Sequence, residues 1–286
     1  MASMRDIKRR KGSIQSTQQI TKAMKLVSTV KLQKARSRAE QTNPYSSYMY
    51  QTVSSMLAKS GNIDHPYLKA GKSGAKAVVV ITSNRGLAGG YNSNVIKLLT
   101  DSPLPKEEVR VYAVGGKGKE ALERRGYRIQ EDDSYIIESP SYADAAALCA
   151  RVLAAYTAGE IGEIYLAYTH FKNTVVHEPK LMKLLPVELD ENDGGAAEPD
   201  VLMNYEPSEE EALDMIIPKY ITSLFYGALV EAAASENGAR MQAMDSATSN
   251  AEEMISDLTL KYNRARQGSI TQELTEIIAG ASAISG

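Results

Sequence analysis

The chain has 286 residues, of which 43% are hydrophobic and 24% charged, and its formal net charge is −2. This length allows one or two domains, and the composition is ordinary for a soluble protein. The one cysteine, Cys149, excludes an intramolecular disulfide, and its apolar neighbours predict a buried structural thiol. No run approaches the roughly 18 apolar residues of a membrane span, so we expect a soluble or peripherally attached protein.

The net charge is small, but positive and negative residues are concentrated in different parts of the chain. Residues 1–40 hold eleven Lys and Arg against Asp6 and Glu40, whereas residues 188–214 hold eleven Asp and Glu and no basic residue. The two regions therefore predict different partners. The acidic stretch 188–200 has two glycines at its centre, lacks the ordered ligand spacing of an EF-hand, and predicts a loop.

The N-terminal segment, residues 3–59, predicts one long helix. A narrow apolar stripe recurs at steps of three and four residues: Ile20, Ala23, Val27 and Val30. Basic residues surround this stripe, and no aromatic residue precedes Tyr45. Because nucleic-acid sites combine basic residues with stacking aromatics, the pattern favours a solvated face or an acidic protein partner over nucleic acid.

The middle of the chain, residues 75–190, predicts an α/β domain. Three short, β-branched, nearly continuous apolar runs predict strands buried on both faces: AVVVIT (77–82), VRVYAV (109–114) and IYLAYT (164–169). Helical segments are predicted near 94–99, 117–125 and 142–157, and a further edge strand over 181–187. Strands alternating with helices indicate a Rossmann-like βαβ domain with a mostly parallel sheet.

The C-terminal segment, residues 208–286, predicts a second long helix. Ser208 followed by Glu211 predicts a capping box at its start, and Pro218 predicts a kink. Two apolar series follow the coiled-coil spacing: Met244, Ala247, Ala251, Met254 and Leu258, then Ile270, Leu274, Ile277, Ala281 and Ile284. Such a seam buries itself only against another helix, and residues 1–59 are the natural partner.

Several motifs resemble parts of nucleotide-binding or metal sites, but none of them has the complete pattern. The triplet GKS (71–73) ends like a phosphate-binding loop, but Pro66 stands where the first glycine belongs. The run GGKGK (115–119) follows a strand and opens a helix, yet it misses the dinucleotide fingerprint and favours a tight turn. His65, His170 and His177 are too scattered for a helical metal pair. We therefore expect no catalytic site, no metal and no cofactor.

Three runs carry a resemblance that covers the whole chain in order. RQGSITQELTEIIAGASA (266–283), TQQITKAMKLVS (17–28) and SNRGLAGGYN (83–92) resemble the γ subunit of F-type ATP synthases. The chain lacks the cysteine-bearing insertion of the chloroplast type, and no Arg- and Ser-rich transit segment precedes the helix, which favours a bacterial form.

The resemblance implies a fold, a set of partners and a role. The terminal helices would form a long antiparallel coiled coil inside a hexameric ring of α and β subunits. The α/β domain would lie outside the ring against the ε subunit and the membrane c-ring. One copy per complex would act as a rotating shaft, as a peripheral protein on the cytoplasmic face of the bacterial cell membrane.

The resemblance also implies contact residues. Six positions match residues that contact the β subunits: Arg9, Arg10, Met24, Arg240, Gln267 and Thr271. Tyr205 and Glu206 match the segment that rests on the c-ring. Two alternatives stay open at these positions. Met24 lies beside the apolar stripe and could pack within the coiled coil, and Gln267 and Thr271 could be merely solvent-exposed.

Two other classes of function compete with the shaft. A free-standing α/β enzyme or nucleotide binder with helical arms predicts saturable nucleotide binding by the isolated chain. A nucleic-acid clamp built on the basic helix predicts salt-dependent DNA binding. Neither explains why 79 C-terminal residues should form one long helix.

Overall fold

The computed structural model describes residues 3–59, 65–69, 71, 73–187 and 208–284. Its helices are α1 (Met4–Lys59), α2 (Tyr91–Thr100), α3 (Gly116–Arg124), α4 (Tyr142–Thr157) and α5 (Glu209–Ile284). Its strands are β1 (Lys76–Ile81), β2 (Val109–Val114), β3 (Arg128–Asp132), β4 (Glu163–Phe171) and β5 (His177–Leu185). Short 3-10 turns cover Pro66–Leu68 and Ile136–Glu138. The predicted acidic loop over 188–200 lies outside the described residues.

The five strands form one sheet in the order β3-β2-β1-β4-β5. Strands β3, β2, β1 and β4 are parallel, and β5 pairs antiparallel with β4. Val79, in the middle of β1, stands between Tyr112 of β2 and Leu166 of β4. The three predicted apolar strands are confirmed, and so is an edge strand near residue 181. Strand β3 was not predicted, because its alternating polar sequence RIQED lacks an apolar run.

The sheet is covered on both faces because side chains alternate along each strand. Val79 and Ile81 face a core shared with α4, the end of α1 and the first part of α5, where Phe225 and Leu229 are fully buried. Val78 and Val80 face a second core built with α2 and α3, which includes Leu99 and Leu122. Burial on both faces explains why the central strands read as continuous apolar runs.

The described chain divides into two compact units. The first, called the helical unit below, contains residues 1–28 and 241–286. The second, called the sheet unit, contains residues 29–240. Each of the long helices α1 and α5 contributes to both units. The sequence-predicted boundaries at 1–59, 75–190 and 208–286 stay predictions.

Within the helical unit, α1 and α5 pair in opposite directions. Gln18 Nε2 donates to Glu252 Oε1 at 3.0 Å, the hydroxyls of Thr21 and Thr248 lie 2.8 Å apart, and Lys25 pairs with Asp245 at 2.5 Å. The partner number falls as the α1 number rises, so the helices are antiparallel. The predicted fold class, two long terminal helices packed together plus a mostly parallel sheet, is confirmed.

The predicted apolar stripe on α1 is not the buried seam, and that prediction was wrong. Ile20 is 60% exposed and Val30 68% exposed, whereas Thr21 and Ser28 are buried. The buried and half-buried positions step by four and three: 14, 18, 21, 25, 28. A search restricted to apolar residues missed this heptad, because its central positions are Thr, Lys and Ser.

On α5 the first predicted apolar series is partly confirmed, whereas the second is not buried against α1, since Ile270, Leu274 and Ile277 are exposed. Met244, Ala251 and Leu258 are buried, but the position between the first two is the buried Thr248 and not Ala247. Met254 is exposed, contrary to the prediction, and the half-buried Ile255 takes its place in the repeat. At position 248 the cause is the same as on α1, since a threonine supplies the contact with Thr21.

Helix α5 begins at the predicted cap, where the Glu211 amide donates to Ser208 Oγ at 3.2 Å. The helix continues through Pro218, whose carbonyl accepts from the Thr222 hydroxyl at 2.8 Å. By length and composition alone, α5 is the one described helix that could cross a membrane. Core helices of soluble proteins meet the same criterion, and 56% of its most apolar window is buried within the protein.

Candidate functional site

The glycine-rich turn after β2 was the strongest candidate for a phosphate cradle. Its amides are already used: Gly116 N donates to Asn84 Oδ1 at 2.8 Å and Gly118 N to Thr82 Oγ1 at 2.9 Å. Lys117 N donates to the Ser83 carbonyl at 3.0 Å. A phosphate binds such a helix start through free amides. The turn therefore joins α3 to the end of β1, and its tight-turn interpretation is supported by the φ of +123° at Gly115.

Helix α5 closes the crevice where sheets of this topology bind ligands. Such ligands bind at the carboxyl edge of the sheet, where the strand order reverses, which here is between β1 and β4. Ser235 Oγ donates to the Thr169 carbonyl at the end of β4 at 3.3 Å. The Tyr91 hydroxyl, at the start of α2, donates to the Ala232 carbonyl at 3.2 Å.

Two histidines of β4 and β5 also hold this part of α5. His170 Nδ1 lies 2.7 Å from Glu231 Oε2. The ring of His177 lies so close to Gly238 that a Cβ there would be 2.8 Å from its Cε1 atom. We call the residues that surround α5 between 231 and 240 the collar: Tyr91, Thr169, His170, His177 and the loop 85–86. All of them belong to the sheet unit.

Arg240, which belongs to α5, contacts the collar at the loop 85–86. Its guanidinium pairs with Glu236 at 2.8 Å and lies 3.4 Å from the carbonyls of Arg85 and Gly86. Both side chains of the pair are largely buried. Burial raises the pKa of Glu236 above its ordinary value, although the charge of Arg240 opposes the shift. Burial also raises the pKa of Tyr91 well above its usual range.

All three histidines pack or pair within the fold. His65 Nε2 lies 3.2 Å from Asp214 Oδ1 on α5, and its Nδ1 accepts from the Tyr67 amide. Within the described residues, no group of three or more His, Cys, Asp and Glu side chains is arranged to hold a metal ion.

The predicted β-contact residues fall in both units. Arg9 and Arg10 are exposed on α1, where Arg9 pairs with Asp6 at 3.3 Å, and Met24 is half-buried beside the seam. Gln267 and Thr271 are exposed near the end of α5, where the Thr271 hydroxyl bonds the carbonyl of Gln267. These five lie in the helical unit and Arg240 in the sheet unit. Tyr205 and Glu206 lie outside the described residues.

The last turns of α5 expose a row of apolar side chains. Leu274 is 54% exposed and Ile277 67% exposed, and Ile270 and Ile278 are similar. Spacing of three and four residues puts them largely on one helix face. Exposed apolar rows of this kind mark surfaces that bind another protein.

Comparison with known proteins agrees with this architecture. The family model described as ATP synthase matches residues 3–284. The ATP synthase gamma chain of Lachnoclostridium phytofermentans is 69% identical over 290 residues, which cover 99% of this chain and all of that protein. The chain belongs to the ATP synthase gamma chain family. A gamma chain is a subunit of F-type ATP synthase and forms its central stalk.

Other gamma chains and their structures are similar at greater distance. The gamma chain of Alkaliphilus metalliredigens is 46% identical, with 98% of each chain covered. A central stalk and c-ring structure of Tetrahymena thermophila mitochondrial ATP synthase matches 80% of this chain and 99% of that chain, with 26% identity and a TM-score of 0.59. A Euglena gracilis mitochondrial ATP synthase structure shares the fold, with a TM-score of 0.68 at 18% identity.

Sequence reasoning missed the collar of this gamma chain family member. Its residues come from four separate parts of the chain, and no short motif joins them. One signal was present, because a glycine inside a long helix often marks a close approach of another element. Gly238 is such a glycine, and its helix alone does not show which element approaches it.

Proposed function

We propose that this chain is the central rotating shaft of an F-type ATP synthase. It couples proton flow through the membrane c-ring to ATP synthesis in the α/β hexamer, or ATP hydrolysis to rotation. It does so by driving sequential conformational change of the β subunits and has no catalytic site of its own. One copy would serve each complex, attached peripherally on the cytoplasmic face of the bacterial cell membrane.

The observation that carries the proposal is the uncovered end of α5. The row at Ile270, Leu274 and Ile277 is apolar and exposed, as expected of a surface that a surrounding ring would cover. The filled turn after β2 and the crevice closed by α5 favour a mechanical role over nucleotide binding. The family membership adds independent support.

The proposed mechanism needs only differential binding. An asymmetric shaft presents a different face to each of three β subunits and so favours a different conformation in each. Equal affinity for all conformations would shift none of them, however tight the binding. Rotation then takes each β subunit in turn through substrate binding, reaction and product release.

The basic segment of α1 suits a contact that must slide. Arg9 and Arg10 are exposed, and surface charges attract each other over one Debye length, about 8 Å at physiological salt. We propose that they attract an acidic loop of the β subunits, with Met24, Gln267, Thr271 and Arg240 as further contacts. Long-range attraction varies smoothly with angle, whereas interlocked packing would hold one position.

The proposed partners at the other end are the ε subunit and the c-ring, the latter through Tyr205 and Glu206. The coupling ion is the proton in this proposal. One similar gamma chain, from Acetobacterium woodii and 40% identical, is named sodium ion specific. The test of the coupling ion is therefore ATP synthesis by the reconstituted complex, driven in one experiment by a pH gradient and in another by a sodium gradient. Synthesis driven by sodium alone would overturn the choice of ion and leave the shaft in place.

Direct observation of rotation tests the shaft. Glu107 is exposed in the turn between α2 and β2, so Glu107→Cys offers a site for a probe. Cys149 needs no replacement, since it is buried and burial raises the pKa of its thiol to about 11. The labelled chain is assembled with surface-fixed α and β subunits and supplied with ATP.

One-way rotation with three pauses per turn is the expected result. ATP hydrolysis with a probe that only diffuses would reduce the chain to a static organiser. Saturable nucleotide binding by the isolated chain would instead support the enzyme alternative, and salt-dependent DNA binding the nucleic-acid clamp.

A further inference from the structure

A shaft must resist twisting where its long helix joins its globular part, and the apolar packing of α5 alone is poorly suited to that. Phe225 and Leu229 are buried earlier in the helix, but between 231 and 240 the apolar side chains that α5 buries are those of Ala232 and Ala234. The side chain of alanine is only a methyl group, so these positions interlock weakly with the neighbouring elements. Resistance to rotation of the helix about its own axis therefore has to come from other contacts.

The collar contacts are spread around α5. Successive residues of an α-helix lie about 100° apart around its axis. Taken in order around the axis, the anchoring positions are Gly238, Glu231, Ser235, Glu236 and Arg240. Together they cover roughly 200° of the circumference. Their partners belong to different elements: β4 and β5 hold one flank through His170 and His177, and the loop 85–86 accepts from Arg240 on the other. A twist in either direction lengthens bonds on one flank and compresses contacts on the other.

The imidazole of His177 packs closely against α5 at Gly238. It stacks near Phe171, with ring centroids 6.0 Å apart, and its imidazole approaches the α5 backbone at the one position in this stretch without a side chain. Any rotation of α5 would bring a neighbouring position that carries a Cβ toward the ring. Tightly packed interiors transmit such strain and do not absorb it.

We propose that the collar locks residues 231–240 of α5 to the sheet against twisting, and that His170, His177 and Tyr91 are positioning residues of torque transmission. This rests on the proposed shaft function. Unlike Arg240, these three residues contact neither a nucleotide nor a β subunit in the proposed function. They act by keeping α5 at a fixed angle to the sheet while torque is applied.

The decisive variant is Gly238→Ala, because the new methyl group would lie 2.8 Å from His177 Cε1. Gly227→Ala is the matched control, since its nearest neighbour would be Ser46 Oγ at 3.8 Å, an ordinary contact. Both changes raise helix propensity by the same amount, because each replaces a helical glycine by alanine. The double variant Gly238→Ala with His177→Ala removes the clash.

The measurement is the angular spread of the probe at Glu107→Cys in an assembled complex held at one pause, which reports torsional stiffness. We expect Gly238→Ala to raise the angular variance about twofold, because one of two opposing flanks is displaced. Gly227→Ala should match the wild type, and the double variant should fall below the single one. Tyr91→Phe removes one hydroxyl bond without a clash and should give a smaller increase.

The outcomes separate the two proposals. If Gly238→Ala and Tyr91→Phe both show wild-type variance, the collar is not the torsional joint, although rotation stands. If the wild-type complex fails to rotate under ATP, the shaft itself is refuted. Should Gly238→Ala fail to assemble, Tyr91→Phe alone decides, and wild-type variance in that variant overturns the proposal.

Discussion

At the scale of single residues, Met24 tests the proposed contact with the β subunits. Its side chain is half-buried, so part of it packs within the helical unit and part is accessible. Met24→Lys would add a positive charge beside the acidic loop that we propose as its partner. A surface ion pair is worth up to about 1 kcal/mol, which would hold one rotary position about fivefold more tightly.

We therefore expect Met24→Lys to lower coupled ATP synthesis several-fold, about fivefold by the same estimate, while the complex still assembles. Ala23→Lys places the same charge about 100° around the helix and serves as the control. The measurement is ATP synthesis per proton transported in reconstituted vesicles. Normal synthesis by Met24→Lys, or an equal loss in Ala23→Lys, would refute the assigned contact.

His177 makes a prediction about pH at the same scale. Burial lowers the pKa of its imidazole from the ordinary 6.5, and the nearby backbone of Thr174 only partly opposes this. As the pH falls through 6.5, the unfolded chain gains a proton at this position that the folded chain does not. The free energy of unfolding contributed by His177 therefore falls with decreasing pH and is fully lost only below the folded pKa.

His177→Gln, which does not titrate, should remove this component. We expect the stability of the wild type relative to the variant to decline between about pH 7.5 and 5.5. Urea unfolding of the full chain at both values measures the difference. Parallel pH dependence of the two proteins would show that His177 has the same pKa in both states.

At the scale of helices and strands, the sequence predicted what burial pattern alone determines. Strands β1, β2 and β4 are buried on both faces and so carry continuous apolar runs, whereas β3 lies at the edge and is polar enough to escape notice. The helix pair was predicted, but its seam was placed on Ile20 and Val27 in place of Thr21 and Ser28. Burial of small polar side chains depends on their partner, and no pattern within one helix reveals it.

The polar seam predicts an unusual response to mutation. The hydroxyls of Thr21 and Thr248 lie 2.8 Å apart across the helix pair, and each also lies within hydrogen-bond distance of a carbonyl of its own helix. Each hydroxyl has one proton, so when one donates to the other, only the accepting hydroxyl can donate to its own helix. Thr21→Val removes one partner and should cost about 1 kcal/mol of unfolding free energy. The double change Thr21→Val with Thr248→Val replaces both by apolar groups of the same shape and should restore or exceed wild-type stability.

Thermal unfolding of the four proteins of this mutant cycle measures the coupling. Thr17→Val is the control, because Thr17 is exposed and bonds only the Ser13 carbonyl of its own helix among the contacts described. It should change stability by no more than about 0.5 kcal/mol. A double variant destabilised by the sum of the two single changes would mean that the hydroxyls do not interact.

At the scale of the whole molecule, the sequence could predict the fold and the family but not the collar. Hydrophobic periodicity and the three motif runs extend over neighbouring residues, so they are visible in one chain. The collar joins Tyr91, His170 and His177 to α5 residues far along the sequence, and only the folded arrangement brings them together. The same holds for the crevice, which α5 closes from outside the α/β segment.

The exposed end of α5 governs how the whole chain behaves alone and in a complex. Burying one Leu or Ile side chain stabilises an association by about 1.5–3 kcal/mol. Leu274→Glu with Ile277→Glu should therefore weaken assembly with the α/β hexamer by at least about tenfold. The same change should reduce self-association of the isolated chain, because the apolar row is then interrupted.

Sedimentation of the isolated chain and the yield of assembled complex measure the two effects separately. Thr275→Glu adds a charge to the same exposed turn outside the apolar row and is the matched control. Loss of assembly in the double variant with an unchanged control would tie the row to a covering partner. If both variants assemble like the wild type, the row is not buried in the complex, and the observation that carries the shaft proposal would fail with it.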